Sequence, residues 1–193
     1  MNSIADPTVV IVPGLRDHVA DHWQTLLADK LDRVRTVPPL EHDKLSLTAR
    51  VGALDAVLGE IDGPVVLVAH SAGCMITVHW AQRPTRPIQG ALLATPADLE
   101  QPLPAGYPVI EDLERNGWNP IPRGRLPFPS IVAASSNDPL GSHRRIAGMA
   151  ETWGSRLVDL GDVGHLNPAA GYGSWPQAEE LLLELTRAKQ VAS

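Results

Sequence analysis

The segment Val65 to Ile76 reads VVLVAHSAGCMI, an aliphatic run that is interrupted at His70-Ser71, passes through Ala72-Gly73 and then resumes. A serine so placed, with Ala69 and Gly73 two positions to either side, has the form of a strand-turn-helix junction. Such a junction lifts a hydroxyl above the carboxyl edge of a sheet. Its neighbours must be small because a tight turn presses them against the helix and the adjacent strand, and Ala69 stands where the pattern G-x-S-x-G has its first glycine. An isolated serine at a helix start is also an ordinary N-cap. Chemistry at Ser71 therefore requires a base to take its proton and a third group to orient that base.

Seven histidines compete for the first role. His79 lies eight residues along the expected helix, about 12 Å away at helical rise, and cannot reach. His70 adjoins Ser71 but diverges from it across the turn. His18 and His22 have i, i+4 spacing, yet Val19 occupies the glutamate place of H-E-x-x-H and no third ligand is evident, so neither a metal nor a cofactor is expected. His165 follows the last apolar run in GDVGHLNP, a turn-rich loop from which an imidazole can swing toward Ser71. For the acid, Asp138 ends an apolar run in SSNDP, and Asp162 is the rival nearer to His165. Asp138 before Pro139 also has the form of a helix N-cap, a role that would still leave it at the carboxyl edge. The order Ser71, Asp138, His165 is that of α/β-hydrolases. Two amides complete the arrangement: Ala72 N–H, unpaired at the helix start, and Leu15 N–H, which lies beside it if the first and third strands are neighbours.

The elements that must position these groups alternate. Strands are expected over Thr8 to Val12, Val34 to Val37, Val65 to Ala69, Ile88 to Ala94, Ser130 to Ser135 and Arg156 to Leu160. Between them, Asp21 and Gln24 stand at capping-box spacing before a helix carrying Trp23, Leu26, Leu27 and Leu31. Leu45 to Ile61 repeats apolar residues at helical intervals, Ala72 to Ala81 continues from Ser71, and a last helix is expected to start at Ser174 with Pro176 in its first turn. Nearly all-apolar strands without alternation imply a parallel sheet covered on both faces, a three-layer α/β sandwich. The prolines between Thr95 and Pro129 leave no room for a long helix, and Tyr107, Trp118 and Phe128 are available to pack the segment as an ordered flap over one end of the sheet.

Composition narrows the classes further. The chain has 193 residues, 44% hydrophobic and 20% charged, enough for one domain with a substantial core. A net charge of -6 with no basic run argues against a nucleic-acid partner. The single cysteine, Cys74, excludes an internal disulfide and a CxxC site and fits a reducing compartment. MNSIADPTVVIVPG has no basic residue before Arg16 and only a short apolar core, so neither a signal peptide nor a membrane span is expected, and the location expected is cytoplasmic.

Several stretches together carry a resemblance: PGL with a downstream HW (Pro13 to Leu15, His22-Trp23), VAHSAG, PIPRGRLPFPSIVAASSNDP and GDVGHLNPAAGYGSWPQAEELL. Over nearly the whole chain they resemble the small serine hydrolases of the retinoblastoma-binding protein 9 and YdeN family. The resemblance implies a minimal α/β-hydrolase of six parallel strands without a large cap, with Ser71 as nucleophile, Asp138 as acid and His165 as base. It does not extend to an L-x-C-x-E sequence, because Cys74 is preceded by Ala72-Gly73 and followed by Met75-Ile76. The expected activity is metal-independent hydrolysis of a small ester or amide, of the carboxylesterase or aminopeptidase kind. The competing reading is a non-catalytic interaction module on the same fold. A lipase with an interfacial lid is disfavoured because residues 95–129 lack the long amphipathic helix that such a lid needs.

Overall fold

The computed structural model describes residues 6–187. Its elements are β1 (Thr8–Val12), α1 (Trp23–Ala28), β2 (Val34–Thr36), α2 (Leu47–Gly59), β3 (Val65–His70), α3 (Ala72–Trp80), β4 (Gly90–Ala94), α4 (Ile110–Arg115), β5 (Ser130–Ala134), α5 (His143–Trp153), β6 (Arg156–Asp159) and α6 (Gln177–Arg187). The strands form one six-stranded sheet in the order β2-β1-β3-β4-β5-β6, and every pair is parallel. The strand order reverses between β1 and β3. That is the topological switch point, where the carboxyl ends of two adjacent strands part and leave a crevice.

Side chains that alternate along the strands feed two separate cores. Val10, Val12, Leu67, Ala69, Leu93 and Val132 face one side, where they pack with residues of α2, α3, α5 and the flap. Val9, Ile11, Val66, Val68, Leu92 and Ile131 face the other, against α1 and α6. Each side chain fully removed from water contributes about 1.5–3 kcal/mol, so the two-sided burial of β1, β3, β4 and β5 supplies the rigid platform for the site. The edge strands differ from the expectation of cover on both faces: Arg35 and Thr36 in β2, and Arg156, Leu157 and Asp159 in β6, are exposed. An edge strand has a neighbour on one side only, and charged residues there discourage pairing with another chain.

Three expected helix starts move. Asp21 does not cap α1; His22 does, its side chain accepting from Gln24 N. The Gln24 side chain cannot reach back to form a capping box because its amide is drawn into the crevice, donating to Val12 O at 3.2 Å and Val68 O at 3.0 Å. Asp138 does not cap a helix either: its carboxylate accepts from Leu140 N in a local turn, and α5 begins five residues later behind Ser142. Ser174 lies outside α6, since the residue before Pro176 is biased to extended backbone. That residue, Trp175, packs edge-on against Trp23 with ring centroids 4.8 Å apart.

The proline-rich segment is ordered and contains only the short α4. Trp118 is fully buried, its indole donating to Leu45 O at 2.7 Å and its own carbonyl facing His79 Nε2 at 3.1 Å. Trp153 of α5 donates to Pro122 O at 2.8 Å, and Arg145 pairs with both Asp98 and Glu100. The flap is thus tied to the segment before α2, to α3 and to α5, and its Leu99, Leu103 and Tyr107 wall one side of a cavity at the carboxyl edge of the sheet.

Candidate active site

Ser71 leaves β3 with φ 58° and ψ -127°, a conformation that L residues adopt only where the surroundings impose it. Two close approaches impose it here. A Cβ on Gly73 would collide with the carbonyl oxygens of Val12 and Pro13, so only glycine lets α3 start this close to β1. A Cβ on Gly14 would lie 3.2 Å from Ser71 Cβ, which puts the loop after β1 directly beside the serine. The hydroxyl makes no capping bond to α3, so the ordinary N-cap role is not what Ser71 performs.

Asp138 and His165 come together from the ends of β5 and β6. His165 Nδ1 lies 3.0 Å and 2.9 Å from the two carboxylate oxygens of Asp138, and the side chains are 6% and 2% exposed. An ionised carboxylate only accepts, so Nδ1 carries a proton; in the neutral ring, Nε2 is left as an acceptor. Asp162 is exposed and takes no part in this pair. Ser71 and His165 line the same cavity of about 300 Å³, without a hydrogen bond between them among those formed by the described residues. Leu15 and Ala72 line it as well. Gly14 O accepts from Asp17 N at 3.1 Å, which turns the Leu15 amide of the same trans peptide the opposite way.

His165 is held by residues that sequence reasoning passed over. Its carbonyl accepts from His70 Nε2 at 2.8 Å and from Thr95 Oγ1 at 3.4 Å. Gly164 N donates to Asn137 Oδ1 at 2.7 Å, and Val163 N to Ser135 Oγ at 3.3 Å. These bonds steady a loop in which Gly164 and Leu166 both have positive φ. The signal was present for Asn137 and Ser135, which directly precede Asp138 in SSND. For His70 it was adjacency to Ser71, which drew attention to the wrong role.

Three imidazoles follow one another through this region, edge-on or tilted: His22 to His70 at 4.5 Å and His70 to His165 at 4.8 Å between centroids. Burial first, and then the charge that His165 can carry, pulls His22 down to about 4. The same two causes, with His22 added, hold His70 well below the ordinary histidine range, partly offset by its bond to the His165 carbonyl. Both are neutral supports near neutrality. Cys74 is buried against Ala94 O, and burial pushes its thiol up, away from nucleophilic reactivity. His18 and His22 do not gather a metal set: among the described residues no three His, Cys, Asp or Glu side chains group to hold a metal ion. No helix among them is long and apolar enough to cross a membrane.

The comparisons with known proteins converge on this arrangement of elements. The family described as serine hydrolase matches residues 9–184. A YdeN-like hydrolase from Pectobacterium atrosepticum is 30% identical, with 94% of this chain and 91% of that one covered and a TM-score of 0.79. The ydeN gene product of B. subtilis is 19% identical over 93% of this chain and 98% of its own, with a TM-score of 0.71. Est1E from Butyrivibrio proteoclasticus, in a structure with ferulic acid bound, is 12% identical over 100% and 92% of the two chains, with a TM-score of 0.69. The last two show the α/β-hydrolase fold alone. No curated protein matches the sequence.

Proposed function

Since the chain belongs to the serine hydrolase family and is a hydrolase of the α/β-hydrolase fold, we propose that it cleaves a small ester or amide through an acyl-enzyme on Ser71, with His165 as base and Asp138 as the acid that orients it. The observation that carries this reading is the buried Asp138–His165 pair, whose imidazole lines the same cavity as a serine held at φ 58°.

In the first step Ser71 Oγ bonds to the substrate carbonyl carbon while its proton passes to His165 Nε2. The carbonyl electron pair moves onto oxygen, where the Leu15 and Ala72 amides stabilise it. The oxyanion then collapses, the bond to the alcohol or amine breaks, and Nε2 returns its proton to that leaving group. Water repeats the sequence on the acyl-enzyme and frees Ser71. Asp138 stays ionised throughout and stabilises the charged imidazole. A cavity of about 300 Å³ suits a small substrate. A non-catalytic interaction role would leave the strained Ser71 backbone and the buried pair without a purpose.

A fluorophosphonate probe tests the reading, because an activated hydroxyl attacks phosphorus and an ordinary serine does not. Labelling is expected on Ser71 by peptide mapping. Folded protein that carries no adduct there would remove the enzyme reading.

A further inference from the structure

Arg50 is a charged residue on the buried face of α2. It stands in one row with Leu47 and Leu54, the residues that dock the helix on the sheet, and its side chain is only 6% exposed. Burying a guanidinium is unfavourable unless every donor finds a partner, and an apolar residue at such a place commonly serves stability as well or better. The direction of the donors is therefore informative. Nε donates to Lys44 O at 2.8 Å, which fixes the side chain to the turn that precedes its own helix. The two terminal nitrogens point across to the loop after β1: one to Asp17 Oδ1 at 2.5 Å, the other to Leu15 O at 3.4 Å.

That loop is the one beside Ser71. Its turn is closed by the bond from Asp17 N to Gly14 O, and Asp17 itself sits at φ 56°. The plane of the Gly14–Leu15 peptide, and so the aim of the Leu15 N–H, depends on this turn staying closed. Arg50 grips both the residue that closes it and the carbonyl of Leu15.

We infer that Arg50 is a positioning residue for the oxyanion site: through Asp17 and the Leu15 carbonyl it sets the direction of the Leu15 amide that stabilises the tetrahedral intermediate. The inference rests on the ester or amide hydrolysis proposed above. It assigns Arg50 no contact with substrate.

The test uses the intact chain with Arg50→Gln, Arg50→Lys and Asp17→Asn, and a matched pair of substrates, an ester and its thionoester. Sulfur is a poor hydrogen-bond acceptor, so a misaimed oxyanion donor slows the ester far more than the thionoester. Arg50→Gln is expected to lower kcat on the ester roughly 10- to 100-fold with KM nearly unchanged, less than the roughly 10²- to 10³-fold loss when such a donor is removed outright. The ester-to-thionoester rate ratio should shrink by a similar factor. Arg50→Lys should recover part of the ratio, since one ammonium can hold Asp17 but cannot grip both partners as a fork. Asp17→Asn should shift the ratio in the same direction by less. A thermal melt identifies any variant that fails to fold, and Asp17→Asn, on a half-buried loop residue, then carries the test. Equal losses on both substrates, or an unchanged ratio in a folded variant, make Arg50 a structural ion pair and overturn the inference. A wild-type protein with no Ser71-dependent turnover overturns the proposed function and this inference with it.

Discussion

The loop after β1 and the loop after β6 reach Ser71 from opposite sides of β3, and they are held there in different ways. Gly14 to Asp17 is short, closed by one turn bond and gripped by one buried guanidinium. Residues 161–167 are held at many points, from Asn137, Ser135, Thr95, His70 and Asp138. The difference follows from what each loop offers. A backbone amide is aimed once its peptide plane is fixed, so one turn and one clamp suffice. An imidazole adds two side-chain torsions to a backbone turned by positive φ on both sides of it, at Gly164 and Leu166, and each needs its own restraint.

On that contrast, the heaviest loss comes from freeing the imidazole. Asp138→Asn is expected to reduce kcat by roughly 10⁴-fold, because an amide can hold the ring in the tautomer whose Nε2 is protonated and cannot accept from Ser71. Asp162→Asn, on an exposed carboxylate, should stay near wild type. Steady-state kinetics of the two variants decide the matter: a crippled Asp162→Asn beside a healthy Asp138→Asn would reassign the acid and undo the comparison.

A smaller effect is expected from the backbone restraints of the same loop. Asn137→Ala removes the acceptor for Gly164 N without touching the Asp138–His165 pair. With other anchors remaining, kcat should fall only about tenfold, less than the roughly 10²-fold that a misplacement of about 1 Å of a group at the chemistry can cost. A drop as deep as that of Asp138→Asn would show that the anchors do not share the load.

How much of this was readable before the structure follows the same physics. Strand centres were legible along the chain because buried β-branched runs have few alternatives. The strand-turn-helix junction at Ser71 was legible because backbone crowding dictates its small neighbours. The capping residues were not: Asp21, Ser174 and Asp138 look like caps, but the neighbouring Gln24 side chain is drawn into the crevice, Pro176 keeps Trp175 extended, and the Asp138 carboxylate serves Leu140 N and His165. Residues 95–129 announced the lack of a long helix through their prolines, whereas their ties through Trp118 and Trp153 depend on partners far along the chain. Arg50 left a trace that could have been followed, a lone charge in the Leu47–Leu54 row.

The smallest expected effect concerns the two histidines that bridge the loops, His22 at the start of α1 and His70 against the His165 carbonyl. Both are neutral in the folded protein, and in the unfolded chain both titrate near the ordinary value of about 6.5. Below that pH the unfolded chain takes up protons that the folded one refuses, so acid favours unfolding. Their contribution to stability is complete above about 6.5 and is lost as the pH falls, down to about 4 for His22 and to well below the ordinary histidine range for His70. Urea midpoints measured between pH 7 and pH 4.5 should therefore decline in the wild type. In His70→Gln the protein should be somewhat less stable at pH 7, having lost the fit of the ring, yet its midpoint should decline less on acidification because one refused proton is gone. An acid dependence identical to that of the wild type would mean that His70 is not a neutral support, and the loop after β6 would then lose one of the restraints that set it apart from the loop after β1.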